Sequence, residues 1–244
     1  MAETLCAVLL AHVLADYVFQ TNYMVQHKTK PTILLLHGVI VLATLHLCTG
    51  NTTAPELYIL AALHLIIDTV KVRFFDDSFR PHIIDQIVHL VSLIGLAAFA
   101  PDIWSNGLYA SVTWLPALML LIAGAIYTTR AGGFAIGKFM RPFQLPATEY
   151  SLPGGGAIIG LLERGLIYVL MLAGLPVGIG FLIAAKSVLR FETIQGTDDK
   201  NSRHMAEYVI IGTLASFGWA ILVSLAVIIL LQKVPDLGIG LPAP

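Results

Sequence analysis

Charged residues are scarce in this sequence. Asp, Glu, Lys and Arg make up 12% of the 244 residues, about half the share of an ordinary soluble domain. The net charge of −1 leaves no basic excess for a nucleic-acid-binding surface. Only two cysteines are present, Cys6 and Cys48, and they form no disulfide or metal-binding spacing. Because 57% of the residues are hydrophobic and the mean hydropathy is +0.82, we expect most of the chain to lie in lipid.

The marks of a secretory signal are also missing from the start of the sequence. Glu3 stands where a signal peptide carries basic residues, and His12 and Asp16 interrupt the apolar run that follows. We therefore expect this stretch to be the first membrane helix. The sequence contains no recognisable internal repeat and no recognisable soluble domain.

Apolar runs of spanning or near-spanning length recur along the chain. They predict an all-α fold, a polytopic integral membrane helical bundle of about eight transmembrane helices. The predicted helices are 4–22, 32–49, 56–75, 82–100, 111–128, 156–173, 176–191 and 206–232. The segment GLPVG at 174–178 fits either a tight turn outside the membrane or the tip of a re-entrant hairpin.

These helices divide the chain into three segments. Residues 1–105 form a four-helix membrane module that carries His and Asp residues. Residues 106–155 hold the fifth helix and a long cytoplasmic loop, predicted over 129–155 from its frequent Gly and Pro. Residues 156–244 contain the C-terminal helices with a second charged cluster.

Lys and Arg are absent from the second, fourth and sixth connections between the predicted helices. The first connection holds Lys28 and Lys30, and the third, fifth and seventh also hold basic residues. Because cytoplasmic connections of membrane proteins are enriched in Lys and Arg, we expect the odd-numbered connections to face the cytoplasm. With eight helices, both termini then lie on the non-cytoplasmic side.

Ionisable residues stand inside the first four apolar runs at helical spacing. Two His-to-Asp pairs and one Asp-to-His pair are four residues apart, which places each pair on one face of its helix. Gln20 stands four residues after Asp16 and is expected on the same face of the first helix. At ~1.5 Å per residue, all of these ionisable residues lie at a similar depth, roughly 6–15 Å from the predicted cytoplasmic boundary. The seven residues are His12, Asp16, His37, His64, Asp68, Asp85 and His89.

Four imidazoles and three carboxylates at one depth are typical metal-ligand chemistry. This ligand set suits zinc, manganese or iron, with zinc or manganese favoured over iron, and the absence of Glu argues against a carboxylate-bridged di-iron site. Seven ligands exceed the need of one tetrahedral site, which favours two ions or one ion whose ligands are oriented by the remaining residues. A metal-free hydrogen-bond or ion-pair network and a proton or ion pathway remain open as alternatives.

Several neighbouring residues have both a structural and a functional interpretation. Lys71 and Arg73 either fix the topology or bind a phosphate beside the metal. Gln20 and Gln86 either join helices or orient ligands and substrate. His82 precedes the site by one turn and is the next candidate ligand. His27, His82 and His204 lie at helix ends or in loops, where a solvated surface position is also expected, and His46 is expected to be a core residue.

A second group of charged residues lies in the C-terminal helices. We expect either interhelical ion pairs, between Glu163 or Glu207 and Lys186 or Arg190, or a site for a lipid phosphate or an anionic substrate. The group consists of Glu163, Arg164, Lys186, Arg190 and Glu207.

The chain resembles an uncharacterised bacterial membrane family, a domain of unknown function. The resemblance is carried by HVLADYVFQTNYMVQHKTK, LLHGVIVLATLH, LHLIIDTVK and DQIVHL, and later by GLLERGLIYVLML, GFLIAAKSVLRF and AEYVIIGTLASF. It covers most of the chain and implies a multi-pass protein of the bacterial inner membrane. The family offers no activity to carry over.

A more distant similarity involves the H-x3-D pairs. They look like those of bacterial inner-membrane proteins described as metal-dependent hydrolases, which are in turn similar to the zinc phospholipase C and nuclease group. This similarity implies metal-assisted phosphoester hydrolysis with the seven His and Asp residues as ligands. The sequence departs from that group because it has no ligating N-terminal tryptophan, no additional soluble domain and a different order of ligands.

The expected function is therefore a metal-dependent membrane hydrolase that acts on a phosphoester of a lipid or small amphiphile at the cytoplasmic leaflet. A metal-bound water with a pKa lowered toward ~7 would attack, and one of Asp16, Asp68 and Asp85 would serve as the base. The alternatives are a metal-ion or proton transporter that uses the same residues, and a structural subunit of a membrane complex. A homo-oligomer is compatible with each.

Overall fold

The fold is all-α throughout the described residues, which in this computed structural model are 1–143, 154–194 and 199–237, without the side chains of 188–203. The prediction of an all-α helical bundle is confirmed. The helices are α1 Ala2–Leu14, α2 Asn22–Gln26, α3 Pro31–Thr49, α4 Pro55–Phe74, α5 Phe79–Phe99, α6 Leu115–Ile126, α7 Gly132–Met140, α8 Gly155–Leu172, α9 Val177–Ile194 and α10 Asp199–Leu231.

In the described part of the chain, six helical stretches are long and apolar enough to cross a membrane, judged by length and composition, and they make the chain a multi-pass membrane protein. The remaining two predicted membrane helices are present as α4 and α9. Helix α4 has the length of a span, but its second half carries polar and charged residues, and the described side chains of α9 contain the shorter apolar stretch Val177–Ser187. The six stretches are Ala2–Phe19, Pro31–Thr49, Phe79–Phe99, Leu115–Phe143, Gly155–Leu172 and His204–Leu231.

The prediction of a loop over 129–155 is wrong for its first half. The chain continues from α6 through a π-helical turn, Tyr127–Ala131, into α7 and a 3-10 turn that ends at Phe143. Glycines in α7 serve close packing here, since a Cβ at Gly132 would lie 2.7 Å from the Trp219 side chain. Residues 144–153 of the predicted loop lie outside the described residues.

The first predicted helix also ends earlier than expected. After α1 the chain forms a π-helical turn, Ala15–Phe19. The backbone N–H of Gln20 donates to the Ala15 carbonyl oxygen over 3.0 Å. Gln20 has an extended backbone, and Thr21 then caps the short helix α2. The regular spacing predicted for His12, Asp16 and Gln20 is therefore interrupted at the π turn.

The described chain divides into two compact units, and the first consists of Met1–Ile126 with the last residues of α10 from Ile229. Helix α1 is its centre and packs against α3, α5 and α6. Ala7, Ala11 and Ala15 are completely buried and lie four residues apart. Small residues at this spacing allow membrane helices to approach closely.

The second unit consists of Tyr127–Ile228 in the described chain. Its core contains Ile167, Ile179, Phe217 and Ala220. Helices α8 and α9, each of 18 residues, are joined by the turn that begins at Gly174, where φ is +70°. Glycine suits this turn because other residues rarely adopt a positive φ.

Candidate metal centre

The structure brings all seven predicted His and Asp residues into one cluster in the first unit. His12 comes from α1, Asp16 from the π turn, His37 from α3, and the remaining four from α4 and α5. Their side chains are between 0% and 8% exposed. Sequence spacing placed each residue on its own helix face, and the packing of four helices makes these faces meet.

Four of the seven side chains converge with unusually uniform separations. His37 Nε2 lies 3.1 Å from His64 Nε2, and 3.3 Å from both Asp16 Oδ1 and Asp68 Oδ2. His64 Nε2 lies 3.3 Å from Asp16 Oδ1 and 3.4 Å from Asp68 Oδ2. We call these four residues the tetrad. All five distances thus fall between 3.1 and 3.4 Å.

These separations match those of ligands around one metal ion. A tetrahedral zinc ion bound at about 2.0–2.1 Å holds its ligand atoms about 3.3–3.4 Å apart. Asp16 Oδ1, although buried, makes no hydrogen bond within the described residues. Buried polar atoms normally have a partner, and a cation among the four atoms would supply one. The donor set of two imidazoles and two carboxylates therefore fits zinc or manganese.

A second group of ligand atoms adjoins the tetrad. His89 Nε2 lies 3.5 Å from Asp85 Oδ1 and 3.8 Å from Asp68 Oδ1, so that Asp68 faces both groups. The ligand atoms of Asp68, Asp85 and His89 are all within 4.8 Å of one another. The His12 ring lies beside that of His89, with ring centroids 5.1 Å apart.

Two lysines contact the cluster, and sequence reasoning identified only one of them. Lys71, predicted to fix the topology or to bind a phosphate beside the metal, has its Nζ 2.7 Å from Asp85 Oδ2. Lys28 Nζ lies 2.7 Å from Asp68 Oδ2. Lys28 was used only to predict orientation, although its place between α2 and α3 puts it at the same end of the helices. Arg73, the other predicted phosphate ligand, is exposed.

The two predicted glutamines behave differently. Gln86 is buried and donates from Nε2 to Asp85 Oδ2 over 3.2 Å, so it orients a cluster carboxylate. Gln20 lies where the π turn ends, and its Nε2 is buried without a hydrogen bond in the described part of the chain. This hydrogen bond is compatible with the ligand-orienting role predicted for Gln86, which stays a prediction.

A glycine permits the close approach of α3 and α4 at the tetrad. A Cβ added to Gly38 would lie 2.5 Å from the Leu65 side chain. Gly38 and Leu65 directly follow His37 and His64 in the sequence. The missing side chain therefore helps to bring the two imidazoles to their 3.1 Å separation.

The remaining histidines are not among the seven. His27 is held locally, with its Nδ1 2.9 Å from the Tyr23 carbonyl oxygen. His46 lies in the last turn of α3, where its ring contacts Tyr58. His82 is buried on α5, one turn before Asp85, and His204 is exposed.

The second unit contains the other predicted charged group. Lys186 Nζ forms the predicted ion pair with Glu163 Oε2 at 2.8 Å. Arg164, which is 4% exposed, donates from Nε and Nη2 to the Thr129 carbonyl and from Nη1 to Ser216 Oγ. Glu207 is exposed. The Arg190 side chain lies outside the described residues.

The comparisons with known proteins concern the unit that carries the cluster. No significant match was found among curated proteins or among solved structures. Residues 4–115 include all seven cluster residues and both lysines, and they match the model of a family described as "Protein of unknown function (DUF3307)".

Proposed function

We propose that this protein is an integral-membrane, metal-dependent hydrolase that cleaves a phosphoester in a lipid or small amphiphile. The observation that carries the proposal is the tetrad, whose ligand atoms lie 3.1–3.4 Å apart in a buried setting. The proposed location is the bacterial inner membrane, with the cluster near the cytoplasmic leaflet and both termini on the opposite side. The membrane itself supplies the substrate, and no nucleic-acid partner is proposed.

Zinc is the proposed ion, with manganese as the next choice. Imidazole and carboxylate ligands suit both ions, and the five separations of 3.1–3.4 Å in the tetrad are close to those between ligand atoms bound to zinc. When bound in this cluster with an open coordination position, such an ion would polarise a phosphoryl oxygen and lower the pKa of a water to about 7. One or two ions are compatible with seven ligands.

The charges around the cluster favour an anionic substrate. The ammonium groups of Lys28 and Lys71 each lie 2.7 Å from a cluster carboxylate. Their side chains are 12% and 23% exposed, more than any of the seven ligand candidates. Two positive groups at the more accessible edge of a metal centre suit the oxygens of a phosphate. Lys28 therefore takes the role that the sequence suggested for Arg73.

The proposed reaction adds one water across a P–O ester bond. The water oxygen bonds to phosphorus, the ester oxygen leaves with the alcohol, and one water proton reaches that oxygen. One of Asp16, Asp68 and Asp85 would carry this proton as general base and then general acid. The products are a free phosphate group and the lipid or amphiphilic alcohol.

The test is phosphate release by the purified protein in detergent. Phosphatidic acid, phosphatidylglycerol phosphate and prenyl phosphates would be incubated with enzyme that is metal-free, zinc-loaded or manganese-loaded. We expect release only in the loaded samples, abolished by His64→Ala and retained by His46→Ala. His46 is a matched control because it is a histidine on α3 outside the cluster. Release that is equal in metal-free enzyme, or release from none of these substrates, would refute the hydrolase.

A metal-ion or proton transporter is the second candidate, and one observation favours it. Asp16 lies in a π-helical turn, and the helix ends at Gln20. Interrupted helices bearing ionisable residues are typical of transport sites. Proteoliposomes with a zinc-sensitive or pH-sensitive dye inside would separate the candidates. The hydrolase predicts no flux above that of empty vesicles, whereas the transporter predicts flux that Asp16→Asn removes.

A further inference from the structure

The cluster contains more inward-facing ligand atoms than the tetrad uses. Asp85 Oδ1 lies 3.5 Å from His89 Nε2, which lies 3.8 Å from Asp68 Oδ1. All three side chains are buried, between 1% and 6% exposed. The three atoms form a compact group next to the tetrad, and the two groups share Asp68 through its different oxygens, Oδ1 and Oδ2.

Two of these three atoms need a partner. Asp85 Oδ1 and His89 Nε2 are buried and make no hydrogen bond within the described residues. Leaving such atoms unpaired in a protein interior is costly. A proton shared between them would satisfy one contact, while a cation would satisfy all three atoms together.

The surroundings hold Asp85 in an orientation suited to metal binding. Its other oxygen, Oδ2, accepts hydrogen bonds from Lys71 Nζ at 2.7 Å and from Gln86 Nε2 at 3.2 Å. These two donors fix the carboxylate and leave Oδ1 directed at His89. Metal-ligating carboxylates commonly have this arrangement, with one oxygen on the ion and the other held by neighbouring donors.

We propose that Asp68, Asp85 and His89 form a second metal site and that Asp68 bridges the two ions. In this arrangement Asp68 Oδ2 belongs to the tetrad and Oδ1 to the second site. Bridged ions about 3.5–4 Å apart are typical of two-metal phosphoesterases. This inference rests on the metal centre of the proposed function. It does not depend on the identity of the substrate or on hydrolysis.

The two sites would have different tasks. The tetrad offers four protein ligands, which would fill a four-coordinate ion as in structural sites. The second site supplies three, which leaves a position for water or a substrate oxygen, as in catalytic sites. His12 adjoins this site, because one of its ring nitrogens lies within 4.8 Å of ligand nitrogens of His64 and His89, and its Nδ1 is 3.9 Å from Asp16 Oδ2. Lys71, bound to Asp85, then lies next to the open position.

Metal analysis of the full-length protein in detergent tests this division. After loading with zinc and removal of free ion, we expect about two equivalents in the wild type and in His46→Ala, as for a two-metal centre. Asp85→Asn and His89→Gln should each retain about one equivalent, and His37→Gln should also lose about one. Asp68→Ala should lose both ions, because the bridge serves both sites.

Electron paramagnetic resonance offers a second test of whether two ions bind. Manganese-loaded wild type should give the electron paramagnetic resonance signal of two coupled ions. Asp85→Asn should give the signal of an isolated ion. Asp85→Asn and His89→Gln change different ligands of the same site, so the test still works if one of them fails to fold. Size-exclusion chromatography and circular dichroism would show whether each variant is folded.

The outcomes separate this inference from the hydrolase. One equivalent in the wild type that remains in Asp85→Asn and His89→Gln would overturn the second site and leave the tetrad intact. No metal in the loaded wild type would overturn both sites and the proposed function. Two coupled ions without phosphate release from any substrate would support the two-metal centre while refuting the hydrolase.

Discussion

The two units of this protein handle buried charge in opposite ways. In the second unit, buried charges have partners of the complementary kind: Lys186 pairs with Glu163, and Arg164 donates to a carbonyl and a hydroxyl. In the first unit, Lys28 and Lys71 each contact one cluster carboxylate, yet other carboxylate oxygens and imidazole nitrogens converge at 3.1–3.8 Å, and several of these atoms have no hydrogen bond in the described chain. One arrangement is closed by protein atoms, and the other is suited to an added cation.

This difference provides a way to tell an ionisable cluster that joins helices from one that is suited to bind a cation. Both occur on apolar helices and both contain charges at helical spacing. The number of charges does not distinguish them. The useful criterion is whether donors and acceptors are balanced, because surplus acceptors in a low-dielectric interior require a positive partner.

Removal of metal is expected to have the largest effect and to affect only the first unit. When the free concentration of an ion is about 1,000 times its dissociation constant, its binding stabilises the folded state by about 4 kcal/mol. Hydrogen exchange in detergent, with zinc or with a chelator, would resolve the helices. We expect faster exchange after chelation at the tetrad ends of α3 and α4, and unchanged exchange in α8. Equal increases in hydrogen exchange in both units after chelation would contradict the proposal that only the first unit binds a metal.

Replacement of Arg164 is expected to have an intermediate effect confined to stability. Arg164→Met leaves the Thr129 carbonyl and Ser216 Oγ without these donors, and a buried unsatisfied group costs about 1–3 kcal/mol. Thermal unfolding in micelles measures the loss, and zinc content should equal that of the wild type. Arg164→Lys should recover only part of the stability, because lysine lacks the forked donors of arginine. A loss of zinc in Arg164→Met would show that the second unit supports the metal centre.

Most of the cluster was predictable from sequence, because its members stand at i and i+4 on strongly apolar runs. His12 with Asp16, His64 with Asp68 and Asp85 with His89 each share a helix face, and the distribution of Lys and Arg placed them at one depth. The partition into a tetrad and a second group was not predictable. It depends on which oxygen of Asp68 faces which helix, and this is set by interhelical packing.

Other errors have identifiable physical causes. Glycines at 132 and 133 suggested a loop, yet in α7 they make room for Trp219 and for Arg164. Gln20 was placed on a regular helix face, but the π turn at Ala15–Phe19 ends the helix there. Lys28 was overlooked as a site residue because a basic residue in a short connection ordinarily marks topology.

The smallest expected effect is the joint replacement of Glu163 and Lys186. Each single change, Glu163→Gln or Lys186→Met, disrupts the 2.8 Å ion pair and leaves one partner charged with most of its surface buried. The double variant removes both charges, and replacing a buried pair by uncharged groups is often neutral. We expect the free energy of unfolding of the double variant to lie within about 1 kcal/mol of the wild-type value. Each single variant should be less stable, and the coupling energy between the two residues should be about 0.5–3 kcal/mol.

The same cycle in the first unit sharpens the contrast between the units. Asp85→Asn with Lys71→Met also removes both members of a 2.7 Å ion pair, but here it should not restore the wild-type state. Asp85 has a second oxygen directed at His89, which the pair with Lys71 does not satisfy. Thermal unfolding of zinc-loaded protein should therefore show this double variant to be less stable than the wild type, and the difference should vanish in chelator. If the double variant matched the wild type with zinc present, the Asp85 carboxylate would be an ordinary ion-pair partner like Glu163.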